Sequence, residues 1–296
     1  MSPLSCVDRT IIISNRLAGK GKDWRAIERL RDLLLDRGVS VETHVPESAE
    51  NAREITRVAV SSGIGYVVIS GGDGSLQNIL DVVAGTDSAL AALPAGRGND
   101  FVRGLSMPRS IDGLALSILN RQFRTVDVGC VNNTFFGTIV SCGLDAEVGR
   151  LTAGGSAFGG MVGYLIQALK SIRSFEAYPV KVEVDGRVVA DGEMTLVACA
   201  NTPTYGGGFR VAPGASPTDG KLDICIVCRV SRIKALSLLH LMAIGQHPGH
   251  PEVTFLSGQE IRIETAEPLI ALADGEVIGQ TPLEISVKRR SLRVVY

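Results

Sequence analysis

The chain has 296 residues, 45% of them hydrophobic and 21% charged, with 30 Lys and Arg against 31 Asp and Glu for a formal charge of -1. A disordered polyelectrolyte or a wholesale nucleic-acid binder needs a one-sided charge or a poor apolar content, so both are excluded. The length suits two domains of ordinary size.

The 34 glycines exceed the roughly 20 expected from average usage, and they cluster in short loops, which implies close backbone approaches. Aromatics at 5% are too few for a base-stacking platform. No stretch approaches the roughly 18 uninterrupted apolar residues of a spanning helix, and no basic leader opens the chain, so a cytoplasmic protein is expected. Cys6, Cys130, Cys142, Cys199, Cys225 and Cys228 read as reduced core thiols, since the single Cys-x-x-Cys has no second pair.

In chain order, Thr10 to Ser14 predicts a strand and Asn15 to Lys22 a polar loop. Asp23 reads as the N-cap of a helix with Ile27, Leu30 and Leu34 at helical spacing, ended by Gly38. A strand over Val39 to Val45, a helix over Ala49 to Ser61 and a buried strand over Gly65 to Ser70 follow. The loop Gly71-Gly72-Asp73-Gly74-Ser75 comes next, then a helix carrying Leu76, Ile79, Leu80 and Val83. Ala89 to Leu93 predicts another strand, closed by Pro94 and a second glycine loop containing Gly96, Gly98, Asn99 and Asp100. Two such loops at successive strand ends would lie side by side, where open sheets bind ligands.

From about Arg124 the pattern turns to β. Strands over Val126 to Val131 and Phe135 to Val140 flank the Asn132-Asn133 turn, and strands over Lys181 to Val184 and Arg187 to Ala190 flank Asp185-Gly186. Met194 to Ala200, Lys221 to Val230, Glu252 to Phe255, Glu260 to Glu264 and Glu284 to Val287 add strands, with helices near Val162 to Phe175 and Ile233 to Ile244. The expected fold is an α/β nucleotide-binding domain over 1–127 and a mainly β, sandwich-like substrate domain over 128–284, with the last strand, 285–296, open to either.

Gly71 to Ser75 sits between a buried strand and a helix start, so its N–H groups and the helix's positive end suit a phosphate; an ordinary glycine turn is the alternative. No P-loop, no G-x-G-x-x-G helix opening and no G-x-S-x-G elbow occurs, and the four histidines fall in ordinary surroundings, His240 as a core or boundary residue. Asp73, Asp100, Asp127, Asp219, Asp274 and Glu276 lie in or beside glycine loops. Each Asp-Gly alone is an ordinary turn, but carboxylates and phosphate loops together are what magnesium-assisted phosphoryl transfer needs.

GGDGS followed by LPAGRGNDF, then ANTPTYGGGFRVAPGASPTDGKLDI and a late ADGE, resembles four ordered motifs of the diacylglycerol kinase catalytic family, above all its soluble bacterial members. The resemblance implies a nucleotide-binding α/β domain followed by a β-rich domain, with the active site in the cleft separating them. It implies ATP contacts at Asn15, Thr43, Gly71, Gly72, Asp73, Gly74, Ser75, Leu76 and Gln77, and in the second loop at Gly96 and Asn99. Asp73, Asp100 and Asp127 match the acids that organise catalytic Mg2+ and water, and Glu276 matches the general base. A separate structural Mg2+ matches Asp219 with the carbonyls of Ser216 and Lys221.

The implied activity is transfer of the ATP γ-phosphoryl to a primary hydroxyl of diacylglycerol or a related lipid. The partner is then a lipid at a membrane surface met peripherally, with no nucleic acid and with a homodimer left open. Lys288 to Arg290 with Arg293, or the arginines at 97, 103, 109, 121 and 124, are the basic patches available to head groups, and Gly154 to Gly163 is either a lipid cover or a plain loop. The chain departs from the family pattern at Arg16, where Pro is usual, and at Arg97, where Thr is usual; Ser75 for Thr keeps the hydroxyl. An NAD kinase shares the GGDG loop but lacks the later segments, and a non-catalytic sensor of the same fold is the other alternative.

Overall fold

The computed structural model describes residues 9–14, 22–96, 98–144, 170–171 and 176–296, with the backbone alone at 22 and 23. Asn15, Arg16, Arg97, the 154–163 segment and nearly all of the 162–175 helix expectation lie outside the described residues. The chain forms two compact units, Met1–Val126 with Arg290–Tyr296, and Asp127–Arg289.

The first unit is a parallel sheet flanked by helices. Its strands β1 (Arg9–Ser14), β2 (Ser40–His44), β3 (Tyr66–Gly71) and β4 (Ala89–Pro94) run in the order β2-β1-β3-β4. The end of β15 (Leu283–Val295) completes it through Arg293 opposite Ala89 and Val294 opposite Leu90. All six residues of β3 are buried, as a central parallel strand covered on both faces requires. Helix α1 (Lys22–Leu35) buries Ile27, Leu30 and Leu34 at helical spacing against a core that includes Ile12, Val68 and Ala91. Its backbone is helical from Lys22, one residue before the expected cap at Asp23. Helix α2 (Ala49–Ser61) is capped by Ser48, whose Oγ accepts from Asn51 N–H at 3.1 Å. Arg53 of α2 reaches Asp81 of α3 (Asp73–Val83) with two nitrogens, at 2.7 and 2.6 Å.

Two helices escaped the sequence reading. The first is α4 (Asp100–Gly104), a single short turn whose periodicity cannot register. The second is α5 (Ile111–Leu119), capped by Ser110 through Gly113 N–H at 3.1 Å.

The second unit is built of antiparallel strands. β5 (Phe123–Val131) enters it at Asp127. β6 (Thr134–Phe136), β7 (Ile139–Gly143), β8 (Tyr178–Val184), β9 (Arg187–Ala200), β10 (Leu222–Cys228) and β11 (Val253–Gly258) follow, then β12 (Glu260–Thr265), β13 (Ile270–Ala273) and β14 (Glu276–Gln280). The strand path is β14-β13-β7-β9-β8-β12-β15, while β10 pairs with β9 and β11. Period-2 alternation on β9 sends Val197 and Cys199 to one core and Leu196, Ala198 and Ala200 to another, which is the sandwich pattern. Helix α6 (Arg232–Ile244) covers the second of these cores with Leu238 and Met242.

Three readings change here. The strand expected over Phe135 to Val140 is broken at Gly137 and Thr138, whose N–H groups leave the ladder for the Asp274 carboxylate. The strands expected at Arg187 to Ala190 and Met194 to Ala200 are one, and the strand expected at Glu284 to Val287 runs on unbroken through the end of the chain to Val295. The β13–β14 hairpin was not anticipated, because its Asp274-Gly275 turn was read as a motif rather than a connection. Asn132-Asn133 and Asp185-Gly186 do turn their hairpins, all four residues having positive φ.

Candidate active site

In the first unit the two glycine loops lie against each other at the carboxyl ends of the adjacent strands β3 and β4. A Cβ on Gly96 would stand 2.7 Å from the Gly72 Cα, so the contact exists only because both residues lack a side chain. Gly72 N-caps α3 without a side-chain acceptor, leaving the helix's positive end to the loop. Asp73, in the first turn of α3, accepts from Phe101 N–H through Oδ1 at 3.0 Å, so it also fixes the start of α4. Its Oδ2 lies 3.0 Å, and the Asp100 Oδ2 3.3 Å, from where a Gly98 Cβ would be, which brings both carboxylates to the same glycine. Asp100 is buried and ion-paired with Arg103, whose Nη2 also donates to Gly98 O at 2.9 Å.

The other predicted nucleotide residues separate into kinds. Asn99 has left-handed backbone geometry, and its amide clasps Gly96, accepting from N–H at 3.2 Å and donating to the carbonyl at 2.9 Å. Leu76 is buried, with its side chain in the core. Thr43, half-buried on β2, has its hydroxyl buried without a hydrogen-bond partner among the described residues. Ser70, which the sequence reading passed over, shares that property one residue before the glycine loop. Buried hydroxyls normally find partners, so open ones beside a glycine loop and on β2, two strands away across β1, fit a polar ligand such as a nucleotide.

In the second unit the acids are held from far along the chain. The Asp274 carboxylate accepts from Gly137 N–H at 2.7 Å, Thr138 N–H at 2.8 Å and Ile139 N–H at 3.1 Å, and from the Thr138 hydroxyl. Burial pushes its carboxyl up, and the hydrogen bonds from Thr138, Gly137 and Ile139 pull it back. The positive-φ pair Asp274-Gly275 then turns the chain, and Glu276 emerges exposed opposite Ala273. Asp274 therefore braces the turn that presents Glu276.

Asp127 is fully buried and accepts from Gly220 N–H at 2.7 Å, tying the middle of β5 to the 216–221 loop. Asn201, fully buried, donates at 2.9 Å to the carbonyls of both Asp127 and Gly137, and so links the Asp127 segment to the one that holds Asp274. Neither Asn201 nor Thr138 was singled out from the sequence, although Asn201 falls inside a recognised segment.

In the 216–221 loop, Asp219 is exposed and accepts from Lys221 N–H at 3.0 Å, and Ser216 and Thr218 share a hydroxyl contact at 3.1 Å. Burial, and then the Asp219 charge, push the neighbouring Asp223 carboxyl up. Asp219 and the Ser216 and Lys221 carbonyls belong to this one loop, and oxygen is the donor type a hard divalent cation takes. Among the described residues no group of three or more His, Cys, Asp and Glu side chains is placed to hold a metal ion by itself.

The thiols behave as expected at four positions: Cys130, Cys142, Cys199 and Cys225 are buried, and burial pushes the Cys225 thiol up to about 12. Cys228 is an exception and lies exposed. His240 is exposed rather than in the core, whereas His247 is buried with Nε2 3.0 Å from Val211 O.

Comparison with known proteins matches residues 9–131 to the diacylglycerol kinase catalytic domain and residues 138–296 to the YegS C-terminal NAD kinase beta sandwich-like domain. A curated relative from Mycobacterium tuberculosis, named diacylglycerol kinase, is 30% identical over 98% of this chain and 95% of its own. One of the same name from Bacillus subtilis is 24% identical over 97% and 96%. The crystal structure of a Bacillus anthracis diacylglycerol kinase superposes with a TM-score of 0.78 at 22% identity, covering 98% of this chain and 97% of that one. An NAD kinase from Archaeoglobus fulgidus shares the fold more loosely, with a TM-score of 0.54 at 13% identity over 97% and 93%. With two domain models matched in order and a relative alike along nearly its whole length, the chain belongs to the diacylglycerol kinase catalytic-domain family.

Proposed function

We propose that this protein is an ATP-dependent lipid kinase that transfers the γ-phosphoryl group of ATP to a primary hydroxyl of diacylglycerol or a related lipid. The observation that carries the reading is Glu276, an exposed carboxylate just past the tight Asp274-Gly275 turn, whose Asp274 is anchored by four hydrogen bonds. A lipid hydroxyl is a weak nucleophile; Glu276 takes its proton as the oxygen bonds to the γ-phosphorus and the bond to the departing ADP oxygen breaks. The rest of phosphoryl transfer is positioning and charge neutralisation.

The first unit supplies the positioning of ATP. Gly71 to Gln77 receive the phosphates on backbone donors and the positive end of α3, and the Thr43 hydroxyl meets another part of the nucleotide. Asp73 and Asp100, both directed toward Gly98, order the ions and water around the phosphates. Asp127 steadies the 216–221 loop from within the second unit, where Asp219 and the carbonyls of Ser216 and Lys221 would hold a divalent cation. When bound, magnesium supplies neutralising positive charge and loop rigidity. No helix among the described residues is long and apolar enough to cross a membrane, and we assign contact with lipid to peripheral attachment.

The direct test is incubation of the purified chain with γ-labelled ATP, magnesium and a panel of diacylglycerols, monoacylglycerols and sphingoid bases. Labelled phospholipid is the expected product. A folded, ATP-binding protein that labels no lipid would overturn the reading, and label in NADP on addition of NAD would replace it with the NAD kinase alternative.

A further inference from the structure

Helix α6 is apolar on two sides. Leu238 and Met242 fill the core, while Ile233 is 81%, Leu236 42% and Ile244 46% exposed. The spacing of the exposed three places them along one face, with the exposed His240 between Leu236 and Ile244. A single exposed leucine needs no explanation, but a helical stripe of branched aliphatics does. The helix is held firmly, with Ser231 capping its start through Lys234 N–H and Gly245 closing its end with left-handed geometry.

Charge on this face is one-sided. No Asp or Glu occurs anywhere between Asp223 and Glu252, in a chain with 31 of them. Arg229, Arg232 and Lys234 cluster at the start of α6, and the Arg210 side chain lies against Gly245 at its end. The facing carboxylates are Glu193, paired with Arg229 at 2.5 Å, and Glu252, paired with Lys234. Arg232 has no carboxylate partner among the described residues, so the stripe is bordered by net positive charge.

We propose that this face of α6 docks on an anionic lipid bilayer, with Ile233, Leu236 and Ile244 entering the acyl boundary and Arg210 and Arg232 meeting the head groups. An apolar stripe rimmed by cations is what a helix lying in the interface presents, and each cation adds about 1 kcal/mol near an anionic surface. The helix also reaches the candidate site within its own unit: Met242 O accepts from Arg210 N–H at 3.0 Å, and Leu238 and Met242 pack with Tyr205, Phe209 and Val211, in the segment that begins at Asn201. Docking thus holds the substrate-side unit at the surface where a lipid would be found, an inference that rests on the lipid-kinase reading for its purpose.

The experiment is sedimentation of the full chain with vesicles of phosphatidylcholine alone or mixed equally with phosphatidylglycerol, alongside phosphorylation of diacylglycerol in detergent micelles. The parent is expected to sediment with the mixed vesicles and much less with pure phosphatidylcholine. Replacing Ile233→Ser and Leu236→Ser together removes burial of two aliphatic side chains, and the expected loss of vesicle affinity is about tenfold or more. Micellar turnover by the double variant should equal the parent's, and Arg232→Gln should narrow the preference for phosphatidylglycerol. A parent that ignores both vesicles, a double variant that sediments like the parent, or a concentration-dependent dimer abolished by the double substitution would each overturn the membrane face. Vesicle binding that is lost with the substitutions, combined with no micellar product from any variant, would support the face and overturn the kinase reading instead.

Discussion

In the α/β unit, Asp73 fixes a backbone donor only 28 positions away and Asp100 pairs within its own helical turn. In the β-rich unit, Asp127 takes its donor from 93 positions away and Asp274 from as far as 137. The first arrangement is a local property of two glycine loops on neighbouring strands. The second exists only once the sheet has formed, and it interrupts a strand to do so. On the proposed reading, the acids that order ions around ATP are positioned by contacts within and next to their own loops, whereas the base, on an edge hairpin, is braced from behind by Asp274.

The sharpest test of that contrast is a pair of isosteric substitutions. Asp274→Asn keeps the shape but places an NH2 against buried N–H donors, and it should cost about 3 kcal/mol in urea unfolding. Asp73→Asn keeps an oxygen for Phe101 N–H and should cost under about 1 kcal/mol. Equal costs would break the comparison.

This asymmetry is also why one unit was more legible than the other. Gly71 to Ser75 and Gly96 to Asp100 announce themselves by composition and by the strand and helix around them, and the structure brings the two loops together. Ser70 gave no signal because an unpartnered hydroxyl is a property of its surroundings. Thr138 and Asn201 gave none because their partners are long-range, and the broken β6–β7 strand looks continuous until the Asp274 carboxylate is seen to take its N–H groups. Helix α6 was expected, but which of its apolar residues face outward is decided by packing.

Asn201→Ala leaves the carbonyls of Asp127 and Gly137 without their donor, which should cost about 2 kcal/mol in denaturant unfolding. It should also lower the turnover of diacylglycerol more than ATP affinity; an effect on ATP affinity alone would contradict its place in the second unit's network.

Magnesium provides a smaller effect. Because burial and Asp219 push Asp223 up, that group favours the fold most at acid pH, and the advantage disappears as pH rises through its raised value. A cation bound at Asp219 stabilises the ionised form, so magnesium at neutral pH should add about 1 to 2 kcal/mol of stability, read as a rise in Tm. Asp219→Asn should abolish the rise. The least effect is expected from Arg53→Ala in the first unit, because the Asp81 pair is partly exposed and worth about 1 kcal/mol or less; calorimetry would show a small drop in Tm with no change in nucleotide binding.

The central claim is that Glu276 accepts the proton of a lipid hydroxyl, and the most direct measurement compares label transfer from ATP to diacylglycerol by the parent and by Glu276→Gln, with ATP affinity determined on the same samples. Loss of a positioned general base predicts a fall of about 10²- to 10⁴-fold in turnover with ATP affinity unchanged. A Glu276→Gln protein that phosphorylates diacylglycerol at the parent's rate would contradict the account.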